Sequence, residues 1–433
     1  MSPKPKARPP FHKAVTALRE MRERHEERHR PSGFNFAFAD RVDFLNPRAW
    51  DLVTQGGSLF LRRDVLRVIE QHGPENLAAR YAAIFREDQP VAVVAAQMVS
   101  VTGKHLHRAE ALPKKAKSKN LLKLVLKPAA KLATARFGAR LLVAGNLMSW
   151  GFHGIAFAPG ETPAQLWPGV AEALYRIRRA ERLKGDTDLV MVKDVTENET
   201  GLEVLGRFSY RPLETEPNMV LTINPAWRNY EDYLSALDAK YRRNAKDQLK
   251  KLAAAGCSLE PLAGLAGHAG RLHELYLSVH HNAPIRLVTL SPNYLPQLAA
   301  VLGDDFRCTI IRRGEEILGF ITTVRDGATA IAYFIGFDRA AAAEGLPIYL
   351  RLLHATIGDA ISWGCTRLSI GRTALEPKAA MGAKPEAMSV WMRHRVPALN
   401  WILRGVLGAV PHAEAPERNP FKTAADAQPP PVA

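Results

Sequence analysis

A repeated order of short elements constrains the fold of this chain more than any other feature. Two polar turns of hairpin length, 86–90 and 313–316, each lie between runs rich in apolar and β-branched residues. Each hairpin is followed by another strand pattern, an amphipathic helix (164–183 or 346–363) and a further short strand. The repeat is one of pattern, not of residue identity. It predicts two copies of one α/β (α+β) unit.

The length of the chain supports the same division. Its 433 residues exceed the ~250–300 residues at which a single hydrophobic core stops growing. Two domains are therefore expected, and the 47% of hydrophobic residues can fill both. The predicted segments are a basic N-terminal segment (1–36), a first domain (37–225), a connecting basic helix (226–262), a second domain (263–412) and a disordered tail (413–433).

The charge of the chain points to an anionic partner. A formal net charge of +16 favours nucleic acid, a membrane surface or a phosphorylated co-substrate. The first thirty residues lack the apolar run of a secretory signal, and no stretch reaches the ~18 apolar residues of a membrane span. We therefore expect a cytoplasmic protein. Its three separated cysteines fit reduced, buried thiols better than a zinc site or disulfides.

Two basic stretches indicate where a membrane would bind. Residues 111–140 contain nine Lys or Arg and no acidic residue, interleaved with Leu and Val. A second stretch, 391–410, combines two tryptophans with three arginines and no acidic residue. Both patterns are typical of segments that lie in a lipid interface. The rival partner is nucleic acid, but no nucleic-acid motif is present, so we favour peripheral binding at the inner face of the membrane.

A predicted helix lies between the two copies, and a loop interrupts the strand pattern of the first copy. Tyr230 to Ala255 is predicted as a single helix, apolar on one face and basic on the other, ending at Gly256. The loop Asn146–His153 separates two strand pieces, 141–145 and 154–157.

Three segments carry a resemblance to a known family. They are YLSALDAKYRRNAKDQLKKL (233–252), LLVAGNLMSWGFHG (141–154) and LSIGRTALEPKAAMGA (368–383). They resemble the GNAT acyltransferase superfamily in its tandem form, related to the Fem-type aminoacyl transferases. The resemblance implies tandem GNAT-like domains, each a mixed central sheet flanked by helices, and an enzyme of the N-acyltransferase class. One departure is the loop before the second helix, which lacks the glycine-rich pyrophosphate cradle of simple GNAT enzymes.

Four residues are candidates for catalysis. His153 lies beside Gly151 and Gly154 and is a candidate base for the acceptor amine. Lys378 and Arg372 follow the last predicted strand of the second copy, where a cation can neutralise an oxyanion or a pyrophosphate. The resemblance adds Tyr241, at the place where the two halves of such proteins meet. The structural alternatives are a histidine that bonds a loop carbonyl and routine surface salt bridges.

Three further residues are candidates for binding the co-substrate. Arg242 and Arg243 can clamp a phosphate or carboxylate, although a charged stripe opposite an apolar one is ordinarily a solvated face. Tyr349, like Tyr333, is a candidate for protonating a leaving thiolate, with packing in the core as the alternative. His280 and His281 lack a third ligand, so no metal is predicted.

Together with these residues, the resemblance implies an N-acyltransferase with acyl-CoA as co-substrate and no permanently bound cofactor. Its acceptor would be an amine, either a membrane-associated lipid amine of the sphingoid-base kind, as for bacterial ceramide synthases, or a cell-wall precursor. One alternative is a Fem-type transferase that uses aminoacyl-tRNA. Another is a non-catalytic GNAT scaffold that binds an anionic membrane.

Overall fold

The computed structural model describes most of the chain. It covers residues 30–102, 138–283, 286–396 and 399–400, together with 19, 22, 23, 26, 416 and 418–422. Most of the predicted N-terminal segment, residues 111–137 of the predicted insertion, and most of 401–433 lie outside these residues.

Within the described part of the chain, thirteen strands form one sheet. They are β1 (Asn35–Ala39), β2 (Leu77–Arg86), β3 (Gln89–Val101), β4 (Ala139–Ala144), β5 (Ile155–Phe157), β6 (Leu189–Thr196), β7 (Arg211–Thr222), β8 (Cys257–Pro261), β9 (Phe306–Arg313), β10 (Glu316–Asp326), β11 (Thr329–Phe337), β12 (Arg367–Gly371) and β13 (Lys384–His394).

Helices cover both faces of this sheet. They are α1 (Pro47–Thr54), α2 (Arg63–His72), α3 (Pro163–Glu181), α4 (Tyr230–Ala236), α5 (Ala239–Ala254), α6 (Ala269–His280), α7 (Tyr294–Leu302), α8 (Arg339–Ala343), α9 (Ile348–Ser362) and α10 (Leu375–Ala380).

The order of the strands shows the predicted repeat and adds an exchange. The sheet runs β1-β2-β3-β4-β6-β13-β7-β12-β11-β10-β9-β8, with β5 paired to β3. Read from either end, each half contributes an antiparallel run and then one parallel pair, β4 with β6 or β11 with β12. The last strand of each half crosses over, because β7 pairs with β12 and β13 pairs with β6. The fold is therefore the predicted α/β tandem, with its two halves joined by exchanged strands.

The apolar cores follow from this arrangement. One core lies on the face covered by α1, α2, α6 and α7 and contains residues of both halves, such as Phe60 and Tyr333. On the opposite face, α3 and α9 each cover a separate core. The three cysteines are free and buried in this interior, as predicted.

The predicted helix from Tyr230 to Ala255 is wrong as a single element. It breaks at Leu237 and Asp238, both of which have extended ψ angles. Leu237 pairs with Phe421, and the Asp238 amide donates to the carbonyl of Pro420 at 2.9 Å. A strand-like contact with the C-terminal segment thus replaces two helical residues. Residues 418–422 of the predicted disordered tail are consequently packed against the protein.

The second predicted membrane stretch also needs correction at its start. Trp391 lies in β13, where it pairs with Val192, and it packs against the core under α3. The remainder, from residue 401, lies outside the described residues. Among the described residues, no helix is long and apolar enough to cross a membrane.

Candidate active site

In the first half, a loop interrupts the strand that pairs in parallel with β6. β4 and β5 both pair with β3, and residues 145–154 leave the sheet between them. The ends of this loop meet at Ala95, whose carbonyl accepts from Gly145 and whose amide donates to Gly154 at 3.2 and 2.7 Å. A Cβ on Gly154 would lie 2.1 Å from the nitrogen of Gly145, so this closure requires glycine. We call residues 145–154 the central loop.

The central loop fills the gap between β4 and β6. Lys193 Nζ donates to the carbonyl of Ser149 at 2.7 Å, and the Gly151 amide donates to Asp194 Oδ2 at 3.0 Å. A Cβ on Gly145 would lie 2.9 Å from Cβ of Lys193. In the second half, the equivalent strand β11 runs unbroken from Thr329 to Phe337. The two halves therefore differ at the one place where their parallel strands separate.

A buried charged cluster lies where the halves meet. Asp194 has no exposed surface and a φ of +58°, a left-handed conformation that is uncommon for aspartate. Its carboxylate bonds both Lys193 and Arg372, the latter from the loop after β12. Burial alone would raise the pKa of Asp194, but the two cations hold it below its usual value. Burial lowers the pKa of Lys193. Arg372 is thus anchored across the junction.

The central loop also reaches the end of β12. Trp150 Nε1 donates to Ser369 Oγ at 3.1 Å, and the indole packs against Gly371. Asn218, on the exchanged strand β7, accepts from Ser369 Oγ and from the Gly371 amide at 3.1 Å each. The end of β12, in the second half, is therefore contacted by the exchanged strand β7 and by the central loop of the first half.

His153 is in the predicted loop but is fully engaged. Its Nδ1 lies 2.7 Å from Ser58 Oγ and its Nε2 lies 3.1 Å from the carbonyl of Trp150. Ser58 Oγ lies 2.8 Å from Asp326 Oδ2, and Asp326 Oδ1 accepts from the Leu59 amide at 2.7 Å. Burial lowers the pKa of His153, and Asp326 opposes that effect. The histidine joins the halves, which matches its structural alternative.

The hydrogen bonds of this network require a definite number of protons. The three contacts from Asp326 through Ser58 and His153 to the Trp150 carbonyl each need one proton. A serine hydroxyl and a neutral imidazole supply only two. The chain of bonds is complete only when His153 and Asp326 together hold one proton more.

Lys378 is the most unusual cation of the predicted set. It lies on α10, only 2% exposed, and its ammonium makes no hydrogen bond or ion pair with any described residue. Burial lowers its pKa to about 8, and the nearby Glu216 works against that shift. Unpaired charges of this kind are rarely buried unless they serve a ligand or a reaction.

The other predicted residues are not part of the charged cluster around Asp194. Arg242 donates to the carbonyl of Leu237 at 2.7 Å and so caps α4, while Arg243 is exposed. Tyr241 is half-buried on α5 beside Arg418. Tyr349 lies on α9, and burial raises its pKa to about 12. The hydroxyl of Tyr333 is bonded to that of Tyr294 at 2.7 Å, deep in the shared core.

A buried arginine near the start of α9 was not predicted. Arg351 is 2% exposed, and its NH1 donates to the Tyr230 hydroxyl at 3.1 Å. Its Nε has no hydrogen-bond partner among the described residues. The Tyr230 hydroxyl also contacts His354, whose pKa burial lowers to about 3. The charged fork of Arg351 thus lacks a carboxylate partner. A charged residue among the apolar residues at the start of the helix, in the run IYLRLL, was the sequence signal for it.

Lys193 and Asp194 gave a similar signal, a charged pair inside the buried strand run LVMVKDV. Ser58 and Asp326 gave none, because only the fold brings them to His153. Among the described residues, no cluster of His, Cys, Asp and Glu could hold a metal.

Comparison with known proteins identifies the class of protein. Residues 239–379 match the family model described as an acetyltransferase (GNAT) domain. FemX, a solved structure, is 10% identical with a TM-score of 0.50, and the match covers 85% of this chain and 99% of that chain. At this identity the similarity to FemX shows the fold alone, over the 85% of the chain that is covered. The protein is an acyltransferase, and residues 239–379 in its second half match a GNAT acetyltransferase domain.

Two further solved structures are similar over most of the chain. A tandem GNAT protein from the clavulanic acid biosynthesis pathway has 13% identity and a TM-score of 0.46, covering 84% of this chain and 99% of its own. L-PGS from Bacillus licheniformis has 9% identity and a TM-score of 0.41, covering 81% and 96%. No curated protein sequence matches the chain.

Proposed function

We propose that the protein is an acyl-CoA-dependent N-acyltransferase whose donor occupies the gap between β11 and β12. The observation that supports this most is the asymmetry of the two parallel pairs. The central loop fills the gap in the first half, whereas no loop departs from β11 in the second. The acceptor would be a long-chain lipid amine or an amino-sugar cell-wall precursor.

The start of α9 suits the phosphates of such a donor. The helix spans 15 residues and follows β11 through α8, so its N-terminal amides favour a negative charge beside that strand. Arg351 supplies a second feature, because its buried Nε has no partner among the described residues. A buried guanidinium without a carboxylate is costly unless an anion pairs with it.

The residues around β12 can serve the transfer step. The amine attacks the thioester carbonyl, the C–N bond forms, and the C–S bond breaks to release the coenzyme A thiolate. In this scheme the ammonium of Lys378 stabilises the oxyanion, and Arg372 and Trp150 position the groups at the end of β12. The proton lost by the amine balances the proton gained by the thiolate, for which Tyr349 is the proposed donor.

The test is a turnover assay with the full chain. Purified protein is incubated with short- and long-chain acyl-CoA and a long-chain amine, and thiol release and product mass are followed. We expect release of coenzyme A together with an amide product. The Lys378→Met variant should lose most of the turnover while still binding acyl-CoA, and Tyr241→Phe, outside the junction, should retain it. Absence of acyl-CoA binding would contradict the proposal.

A second candidate is a Fem-type transferase that takes its acyl group from aminoacyl-tRNA. The similarity to FemX over nearly all of that chain and the exposed basic residues of α5, such as Lys246 and Lys250, favour it. Transfer of a labelled amino acid from tRNA to an amine, without coenzyme A, would support this candidate. If neither donor is used, the non-catalytic scaffold remains.

A further inference from the structure

One edge of the first half combines exposed leucine with unpaired basic residues. Leu183 is 98% exposed, and it lies between Arg182 and Lys184 in the turn that ends α3. Arg179, one turn earlier, is also exposed. None of these three cations forms an ion pair with another described residue. A single exposed leucine is ordinary on a protein surface, so its meaning depends on the residues that lie beside it.

The chain that follows β13 lies at the same edge. Val396 and Leu399 are 38% and 43% exposed. Asp188 connects this segment to the sheet. Its carbonyl accepts from the Arg395 amide at 2.8 Å, and its carboxylate accepts from the Arg140 amide at 3.0 Å. We name the surface formed by Arg179, Arg182, Leu183, Lys184, Val396 and Leu399 the basic edge.

Acidic residues near the basic edge are already neutralised. Asp186 and Asp188 both pair with Arg395. The buried Glu181 pairs with Arg80 and Arg140, each at 2.7 Å. The positive charge of the edge is therefore not cancelled locally.

Two lengths of chain outside the described residues begin at this edge. Residues 103–137 follow β3, and the described chain resumes at Gly138. Two residues later, Arg140 donates to the Gly185 carbonyl at 2.6 Å. Residues 103–137 contain ten Lys or Arg and one acidic residue. Residues 401–415 begin directly after Leu399 and Asn400 with the sequence WIL. Both stretches with interfacial composition thus start from one side of the molecule.

We propose that the basic edge docks the protein on an anionic lipid bilayer. Cations would meet the headgroups, and Leu183, Val396 and Leu399 would enter the acyl boundary. A nucleic acid would use the same charge but would leave the three apolar side chains in water, so the lipid surface fits better. Docking needs no acyl transfer, and its test is independent of the proposed reaction.

The test is flotation of the full-length protein with two kinds of vesicle. One kind contains phosphatidylcholine alone, and the other contains equal parts of phosphatidylcholine and phosphatidylglycerol. We expect binding to the second kind only, weakened by salt. Leu183→Glu and the double variant R182E/K184E should each lower the partition coefficient by about tenfold or more. Both sites are exposed, so unchanged thermal unfolding is expected.

Matched controls lie elsewhere on the surface. Leu52→Glu changes a leucine that is 48% exposed on α1, and K246E/K250E reverses two exposed lysines on α5. Both should bind vesicles as the unaltered protein does. The proposal fails if the basic-edge variants bind normally, if the controls lose binding equally, or if phosphatidylcholine alone binds as well. It also fails if the protein binds RNA but not the anionic vesicles.

Discussion

At the scale of single residues, the buried titratable groups near the place where the halves meet differ in whether they have a partner. His153 has a partner at each ring nitrogen, and Asp194 is bonded to two cations. Lys378 is only 2% exposed but has no partner among the described residues. Burial without a partner is the property that distinguishes a candidate reactive group from a structural one.

Lys378 should give the reaction an alkaline limit. Its pKa is lowered to about 8, so the charged form that stabilises an oxyanion is lost as the pH rises through that value. We expect the turnover rate to fall above about pH 8. A pH–rate profile measures this, and a rate that instead climbs through the same range would contradict the oxyanion role.

The buried charge of Lys378 should lower the free energy of unfolding at neutral pH. The folded protein binds this proton less tightly than the unfolded chain, for which 10.5 is the reference pKa. The free energy of unfolding should therefore rise between about pH 8 and 10.5, and the penalty is complete below pH 8. We expect Lys378→Met to stabilise the protein by up to about 3 kcal/mol at pH 7. Thermal unfolding at pH 7 and above pH 10 tests the sign.

Substitution of Asp326 tests how many protons the hydrogen bonds between Asp326, Ser58 and His153 require. Asparagine can donate to Ser58 and still accept from the Leu59 amide, so that a neutral His153 completes the chain. We expect Asp326→Asn to leave the free energy of unfolding unchanged or higher, and Asp326→Ala to lower it by about 1–3 kcal/mol. Denaturant unfolding of the pair measures both. Equal losses in the two variants would show that the carboxylate charge itself is needed.

At the scale of elements, the central loop makes the two halves different. Most of the elements were predictable from periodicity, including both hairpins, α3, α9 and the strand pieces on either side of this loop. The loop itself was also expected between residues 146 and 153. Its contacts with β6 and β12 were not, because they join positions far apart in the sequence.

Gly154 tests the closure of the loop. Its Cβ would meet Gly145 backbone atoms at 2.1–2.4 Å, so the strand must shift. We expect Gly154→Ala to lower the free energy of unfolding by at least about 2 kcal/mol. Gly358→Ala in α9 is the control, since its nearest neighbour would be 3.9 Å away and alanine favours a helix by about 0.5–1 kcal/mol. Similar effects of the two changes on denaturant unfolding would refute this account.

At the scale of the whole molecule, the exchanged strands bind the halves into one folding unit. Residues 1–225 contain β7 but lack β13, which lies beside β6. This fragment would leave β6 and β7 with unpaired edges, a state that favours aggregation. We expect the fragment to be unfolded or aggregated and the full chain to unfold in one cooperative transition. Calorimetry distinguishes this from two independent transitions, and a soluble, folded fragment would contradict it.

The sequence alone determined the local elements and the tandem repeat, because periodicity and turn residues act over short distances. The acyltransferase class came from the resemblance of three segments to the GNAT superfamily. The sequence also pointed to His153 as a candidate base and to Arg372 and Lys378 as candidate cations for an oxyanion or a pyrophosphate, but it did not show what each of them contacts. Only the tertiary structure decided that His153 is held by Ser58 and Asp326, that Arg372 is anchored by Asp194, and that β7 and β13 change places. These outcomes depend on contacts between residues more than ninety positions apart, and no local pattern encodes which distant partners will meet.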